Sequence, residues 1–147
     1  MNALSIIRDF VGKYPGADVL RDFQVDFVDQ IPANGGIAPS GLVEVSRKRD
    51  ILGNVTIRNQ YNFGLYCVFE KAPGDDVGAT TNADWVMDFQ DWVQTQSIMG
   101  LAPVFGDVPR EERITAQNGA LYAANEEGTA IYMIQISVEF IKKIEVS

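Results

Sequence analysis

Few of the 147 residues are of a type and spacing that could do chemistry. Asp22, Asp26 and Asp29 form an acidic cluster. Paired carboxylates can divide acid and base roles. On a strand, however, residues 22 and 26 share a face and 29 does not, and no neighbour is in view to drive their pKa values apart. A solvated face accounts for them. Gly74-Asp75-Asp76-Val77-Gly78 hints at a metal loop. It lacks the alternating oxygen ligands and terminal Glu of a calcium-binding loop, and reads as a flexible connector. The single cysteine, Cys67, falls on the apolar side of a strand-like run, where a thiol behaves as a small hydrophobe. The chain has no histidine to serve it as a base. Trp85 and Trp92 lie seven apart on one helical face and could cradle a sugar or a base. Val86, Phe89 and Val93 complete the same stripe, which favours a core role. The only basic run, Arg47-Lys48-Arg49, is too short for a nucleic-acid patch. It fits an exposed hairpin tip that meets an acidic partner about as well as a solvated turn. The residues therefore predict no catalytic centre, no metal site and no cofactor.

Composition points the same way. The net charge is −8 and the sequence pI about 4.4. That argues against binding nucleic acid through a basic face, which needs clustered Lys and Arg, and against adhesion to anionic lipid. One cysteine cannot close an internal disulfide. The absence of histidine removes the common zinc sites and the Ser-His-Asp and Cys-His arrangements. No stretch approaches the roughly 20 apolar residues of a membrane span, and the first residues lack the pattern of a signal peptide. The expectation is a single domain over 1–147, made and kept, at least at first, in a cytoplasm.

Periodicity sets the scaffold that must position any functional residue. Asn2 can cap a helix whose Leu4, Ile7, Val11 and Tyr14 share a face, and Pro15-Gly16 stops it. Alternation predicts a strand over about 22–29. Breakers from Ile31 to Gly41 predict a loop. Leu42 to Lys48 reads as a strand and Asp50 to Asn54 as a turn. A long strand, Val55 to Phe69, follows with its apolar residues at odd positions. Ala72 to Asn82 reads as loop, and Thr81-Asn82-Ala83-Asp84 has capping-box form ahead of a helix running to about Ile98. On that helix Asp84, Asp88 and Asp91 lie opposite the tryptophan face. Gly100 sits where a helix stop belongs. Leu101 to Glu112 is another loop. Arg113 to Gln117 and Ala120 to Ala124 are strand-like, and Asn118-Gly119 between them is the strongest turn signal in the chain. After Asn125-Glu126-Glu127-Gly128, a second turn-like segment, the run Thr129 to Ile141 alternates cleanly, with Tyr132, Ile134, Ile136, Val138 and Phe140 on one side. The fold class expected is α+β, a mainly antiparallel β-sheet with two principal helices packed on one face.

In this order, the motifs Val25-Asp26-Phe27-Val28-Asp29, Ile37-Ala38-Pro39-Ser40, Gln60-Tyr61-Asn62-Phe63, Gln90-Asp91-Trp92-Val93, Leu101-Ala102-Pro103-Val104-Phe105 and Gly128-Thr129-Ala130-Ile131-Tyr132-Met133-Ile134-Gln135-Ile136 carry a resemblance. Over about residues 2 to 145 the chain resembles the tail terminator proteins of long-tailed, siphovirus-type bacteriophages and prophages. It departs from that pattern at Ile51-Leu52-Gly53-Asn54, which is more apolar than an Asp-Gly turn, and at Phe140, where Tyr is expected. Neither position is catalytic in the family.

The resemblance implies a non-enzymatic virion protein. Such proteins form a hexameric ring on the end of a completed tail tube, stop its polymerisation and provide the surface for head attachment. The implied partners are further copies of the chain, the major tail tube protein and a head–tail connector or neck protein. DNA would pass through the ring without specific binding, an acidic lumen helping it not to stick. The implied location is the tail end of the virion, reached from the host cytoplasm. A ring closes by head-to-tail contacts, for which a sheet edge and long loops are natural elements. The candidate loops are 31–41, 70–82 and 101–112. The residues singled out for assembly are Arg47, Lys48, Arg49, Asp75, Asp76, Phe105 and Asp107. Two competing readings are another phage neck or head-completion protein and a small carboxylate-dependent hydrolase.

Overall fold

The structure, a computed structural model, describes residues 3–16, 22–25, 34–70, 76–108, 110–124 and 129–145. Helix α1 (Ala3–Gly12) is followed by strands β1 (Asp22–Val25), β2 (Asn34–Arg49) and β3 (Val55–Glu70), helix α2 (Asp76–Ile98), and strands β4 (Arg113–Ala124) and β5 (Thr129–Ile144). The five strands form one sheet in the order β1-β2-β3-β5-β4. Every pairing is antiparallel except that of the short β1 with β2. This is the α+β, mainly antiparallel architecture that the alternating patterns predict.

The two-residue period decides which sheet face is buried. On β3, Phe63, Leu65, Cys67 and Phe69 point one way, and on β5 Ala130, Tyr132, Ile134, Ile136, Val138 and Phe140 point the same way; all are buried. Both helices add their stripes to that cluster, Ile7, Phe10 and Val11 from α1 and Val86, Phe89 and Val93 from α2. At the helix–helix junction the apolar contact is largely aromatic. Tyr14 stands edge-on to Phe89 at 5.2 Å and to Trp85 at 5.5 Å between ring centres, and Trp85 stacks parallel to Phe89 at 5.7 Å. The Trp85 indole N–H donates to the Gly16 carbonyl at 3.1 Å. A partly buried indole still gains from such a partner, and here it ties the turn after α1 to α2. The tryptophans are thus core and junction residues.

Three local expectations are corrected. Residues 34–41, expected as loop, belong to β2. Pairing with β3 overrides the local breakers, and the register shift between Pro39 and Gly41, with Gly41 at φ +100°, accommodates both because a bulge tolerates a missing donor and a positive φ. Residues 76–82, also expected as loop, open α2, so the Thr81–Asp84 capping pattern lies inside the helix. Thr and Asn in a helix interior cost only a few tenths of a kcal/mol each relative to better formers. Asn118-Gly119 is a bulge within the continuous strand β4, not a turn. Asn118 adopts φ +58°, and the register slips by one residue between Gln117 and Ala120. The left-handed geometry that makes Asn-Gly a turn signal is used here to kink a strand. A side chain at 119 would lie 2.4 Å from the Val86 side chain of α2. The segments at 26–29, 71–75 and 125–128 lie outside the described residues, so the Asp26, Asp29 and Asp75 readings and the second turn lie there too.

The loop after α2 has a structural task. A Schellman stop ends the helix: Leu101 N–H bonds to Gln96 O at 2.9 Å and Gly100 N–H to Ser97 O at 3.2 Å, with Gly100 at φ +73°, the arrangement glycine favours. The chain then runs beside the part of β5 that extends past β4. Asp107 N–H donates to Ile141 O at 2.8 Å, and its carboxylate accepts from Lys143 N–H at 2.8 Å. The loop thereby satisfies backbone groups at an otherwise bare sheet edge.

Glu112, at the end of this loop, is buried. Neither carboxylate oxygen has a hydrogen-bond partner. Burial pushes its pKa up, and the neighbouring Glu111 charge adds to the shift. Because the fold binds this proton more tightly than the unfolded chain does, the favourable contribution is present below the ordinary Glu range. It is lost as pH rises towards the elevated folded value. Glu112→Gln, which removes the buried charge and keeps the side chain's shape, should therefore stabilise the protein at pH 7. The gain should shrink in melts run towards pH 4.

Candidate functional site

Among the described residues, the groups that could do chemistry are not gathered. Cys67 is buried, and desolvation drives its pKa far above the usual thiol value, so it has no thiolate to offer as a nucleophile. Among the described residues no three of His, Cys, Asp or Glu stand close enough to hold a metal ion. No described helix is long and apolar enough to cross a membrane. The sheet face away from the helices has a shallow polar depression of about 270 Å³, with Gln60, Gln117, Gln135 and Ser137 in its lining. Its amides and hydroxyls are largely bonded to one another, Asn62 Oδ1 accepting from Gln60 and from Ser137, both at 2.7 Å. Arg58 and Glu139 face each other at 3.9 Å on the same side.

Two exposed surfaces stand out among the described residues. Beyond Ile37, β2 has no strand on its outer side among the described residues. Residues 39–52 are exposed throughout, so the outer strand of the hairpin's end and its turn form an arm wet on both faces, backed by β3, where Val55 and Asn59 are buried. Its tip is tightly organised. Asp50 Oδ1 accepts from Leu52 N–H at 2.9 Å and Asn54 N–H at 3.0 Å, and backbone bonds join Asp50 to Gly53 and Asn54, with Gly53 at φ +87°. This is an Asx-type turn. Such a turn ordinarily carries polar residues at its crest; here the crest is Ile51 and Leu52, 101% and 76% exposed. The basic run lies just before it. Arg47 pairs with Glu44 at 2.6 Å, and a second register shift between Glu44 and Ser46 sets Arg47 and Arg49 on one face of the arm and Lys48 on the other.

The opposite edge of the sheet is covered. Helix α2 lies along β4, where Gln90 donates to Ala116 O at 3.2 Å and Ser97 Oγ accepts from Ile114 N–H at 3.2 Å. Outside these bonds the helix and strand leave a groove of about 600 Å³. Met87, Asp91, Gln94 and Ile98 line its helix side and Arg113 to Gln117 its strand side. Met87 is 57% and Ile98 80% exposed. The two sheet edges are therefore unlike: one is a projecting apolar and basic arm, the other a groove beside an acidic helix. No family model and no curated protein matches this chain.

Of the residues singled out from the sequence, Arg47, Lys48 and Arg49 lie together on the exposed arm. Phe105 does not face outward. It is buried against Tyr61 and Phe140, with ring centres at 5.3 and 5.9 Å. Asp107 is committed to β5. Asp76 is the first residue of α2, and Asp75 lies outside the described residues. Ile51, Leu52, Met87 and Ile98 were missed as surface features. For the tip a signal existed in the sequence: two large aliphatic residues inside an Asp–Gly–Asn turn. For Met87 and Ile98 there was none, since a helical stripe can face a core or a groove alike.

Proposed function

We propose that this protein is a structural subunit that assembles head to tail into a closed ring and acts as a tail terminator of a long-tailed bacteriophage or prophage. The observation that carries the reading is the pair of dissimilar, exposed surfaces on opposite edges of one sheet. Contacts between unlike surfaces generate rings when the rotation closes, whereas a two-fold dimer needs one self-complementary patch. The motif order named above supplies the rest: a hexameric ring that caps the completed tail tube, blocks further addition of tube protein and receives the neck or connector of the head. A strongly acidic subunit suits a ring through which DNA passes without being held, because like charges do not retain a polyanion.

Electron microscopy of tails assembled without the protein is the test. The expected result is overlong tubes of mixed length that fail to acquire heads. Tails of normal length carrying heads would overturn the reading. Adding purified protein to polymerising tube subunits distinguishes the terminator from another head–tail joining subunit: a terminator stops growth at the tube end in the absence of heads.

A further inference from the structure

The tip of the arm and the α2–β4 groove suit each other better than either suits solvent. The groove wall on α2 is the stripe Met87, Asp91, Gln94 and Ile98. The two apolar residues stand three helical turns apart, about 16 Å at 1.5 Å per residue, with the acid and amide between them. From Asp76 to Ile98 the helix contains four aspartates and no lysine or arginine, and Asp84, Asp88 and Asp91 are exposed. The arm places three of the chain's twelve basic residues in succession beside two bare aliphatic side chains. Its turn is held by its own hydrogen bonds, so little ordering is needed on docking.

The two features cannot meet within one molecule. In the sheet order, β3 and β5 separate β2 from β4. The hairpin also runs on to the level of Ile144, whereas β4 begins opposite Glu139, so the arm points beyond the end of its own groove.

We infer that the arm of one copy seats in the α2–β4 groove of the next, Ile51 and Leu52 entering between Met87 and Ile98 and Arg47 and Arg49, which share a face of the arm, turned to the acidic side of the helix. This specifies the protomer contact of the proposed ring and rests on that reading. It also gives the unusually apolar turn a role, since its side chains are covered only in the assembly.

Disulfide trapping tests the pairing. Leu52→Cys and Ile98→Cys change exposed residues, and the buried native Cys67 does not compete. Under a mild oxidant, the two single variants mixed should give a covalent dimer. Either one alone should give at least tenfold less, and the chain carrying both changes should give a ladder ending at a closed ring. Adding Arg47→Glu and Arg49→Glu to the Leu52→Cys chain should lower the mixed yield at least tenfold. Efficient self-crosslinking of Leu52→Cys alone would overturn the inference in favour of tip-to-tip pairing. No crosslink, while native mass spectrometry of the unaltered protein shows a ring, would overturn the pairing and leave the ring standing. Neither crosslink nor ring at any concentration would overturn both. Crosslinked dimers from an otherwise monomeric protein would uphold the contact and count against a preformed ring.

Discussion

Replacing Phe89 by alanine should cost about 3–5 kcal/mol of stability, the range for a fully buried aromatic truncated to a methyl. The melting temperature should fall by roughly 10–18 °C, taking about 3–4 °C per kcal/mol for a chain of this size. Phe89 has no solvent exposure and sits where both helices meet. It stacks on Trp85, receives the edge of Tyr14 and lies 6.1 Å from Trp92 between ring centres. Its removal would leave three large rings around a void that rigid neighbours cannot fill. The groove beside β4 depends on α2 being held at this point, so assembly should weaken along with stability. Thermal melts monitored by tryptophan fluorescence would check this, because both tryptophans lie beside the altered residue. A loss below about 1 kcal/mol would mean that α2 is not docked through this face.

Gly106→Ala is the second large expectation, for a different reason. A Cβ at 106 would stand 2.3 Å from the carbonyl oxygen of Ile141 and 3.1 Å from two further backbone atoms of that residue. Backbone in a paired strand cannot swing aside as a side chain can. The loop must lift, losing the Asp107 bonds to Ile141 and Lys143 and loosening Phe105 in its aromatic pocket. A cost of about 3 kcal/mol is expected, the upper part of the usual overpacking range. Lifting the loop would also uncover the edge of β5 beyond Glu139, and bare edges template aggregation. Hydrogen exchange should speed up at the Asp107 and Lys143 amides, and light scattering should rise below the melting transition. Gly12→Ala is the matched control, since a Cβ there meets nothing within 4 Å. It should leave stability unchanged or slightly higher.

These two positions differ in how visible they were beforehand. Phe89 could be placed in the core from its i, i+3, i+4, i+7 neighbours Val86, Val93 and the tryptophans, because helical periodicity is written locally. The same holds for the two-residue alternation of β3 and β5, which alone places their buried faces. Gly106 could not be ranked above Gly74 or Gly78. Its significance is a close approach to a residue 35 positions further on, and no local pattern encodes such a distance.

The turn signals divide along the same line. Asp50-Ile51-Leu52-Gly53-Asn54 forms the turn its sequence predicts because the bonds that fold it run from Asp50 to Leu52, Gly53 and Asn54, all within the segment. Asn118-Gly119 does not, because β5 pairs with the chain on either side of it and draws the left-handed pair into a bulge. Pro39 and Gly41 favour a loop locally and are overridden because β3 supplies partners for the backbone around them.

What the amino-acid order determined by itself is what short-range physics controls. This covers which residues are apolar together at a helical or strand period, where glycine stops α2, and how Asp50 ties the arm's turn. Only the tertiary structure decided which edges of the sheet remain open, that Phe105 turns inward while Ile51 and Leu52 turn out, and that an acidic helix with a groove at its side lies on the edge opposite a basic arm. Those outcomes depend on strand order and on contacts between residues far apart in sequence. Their energies come from burying surface and pairing backbone across the sheet, and neither quantity exists until the strands have met.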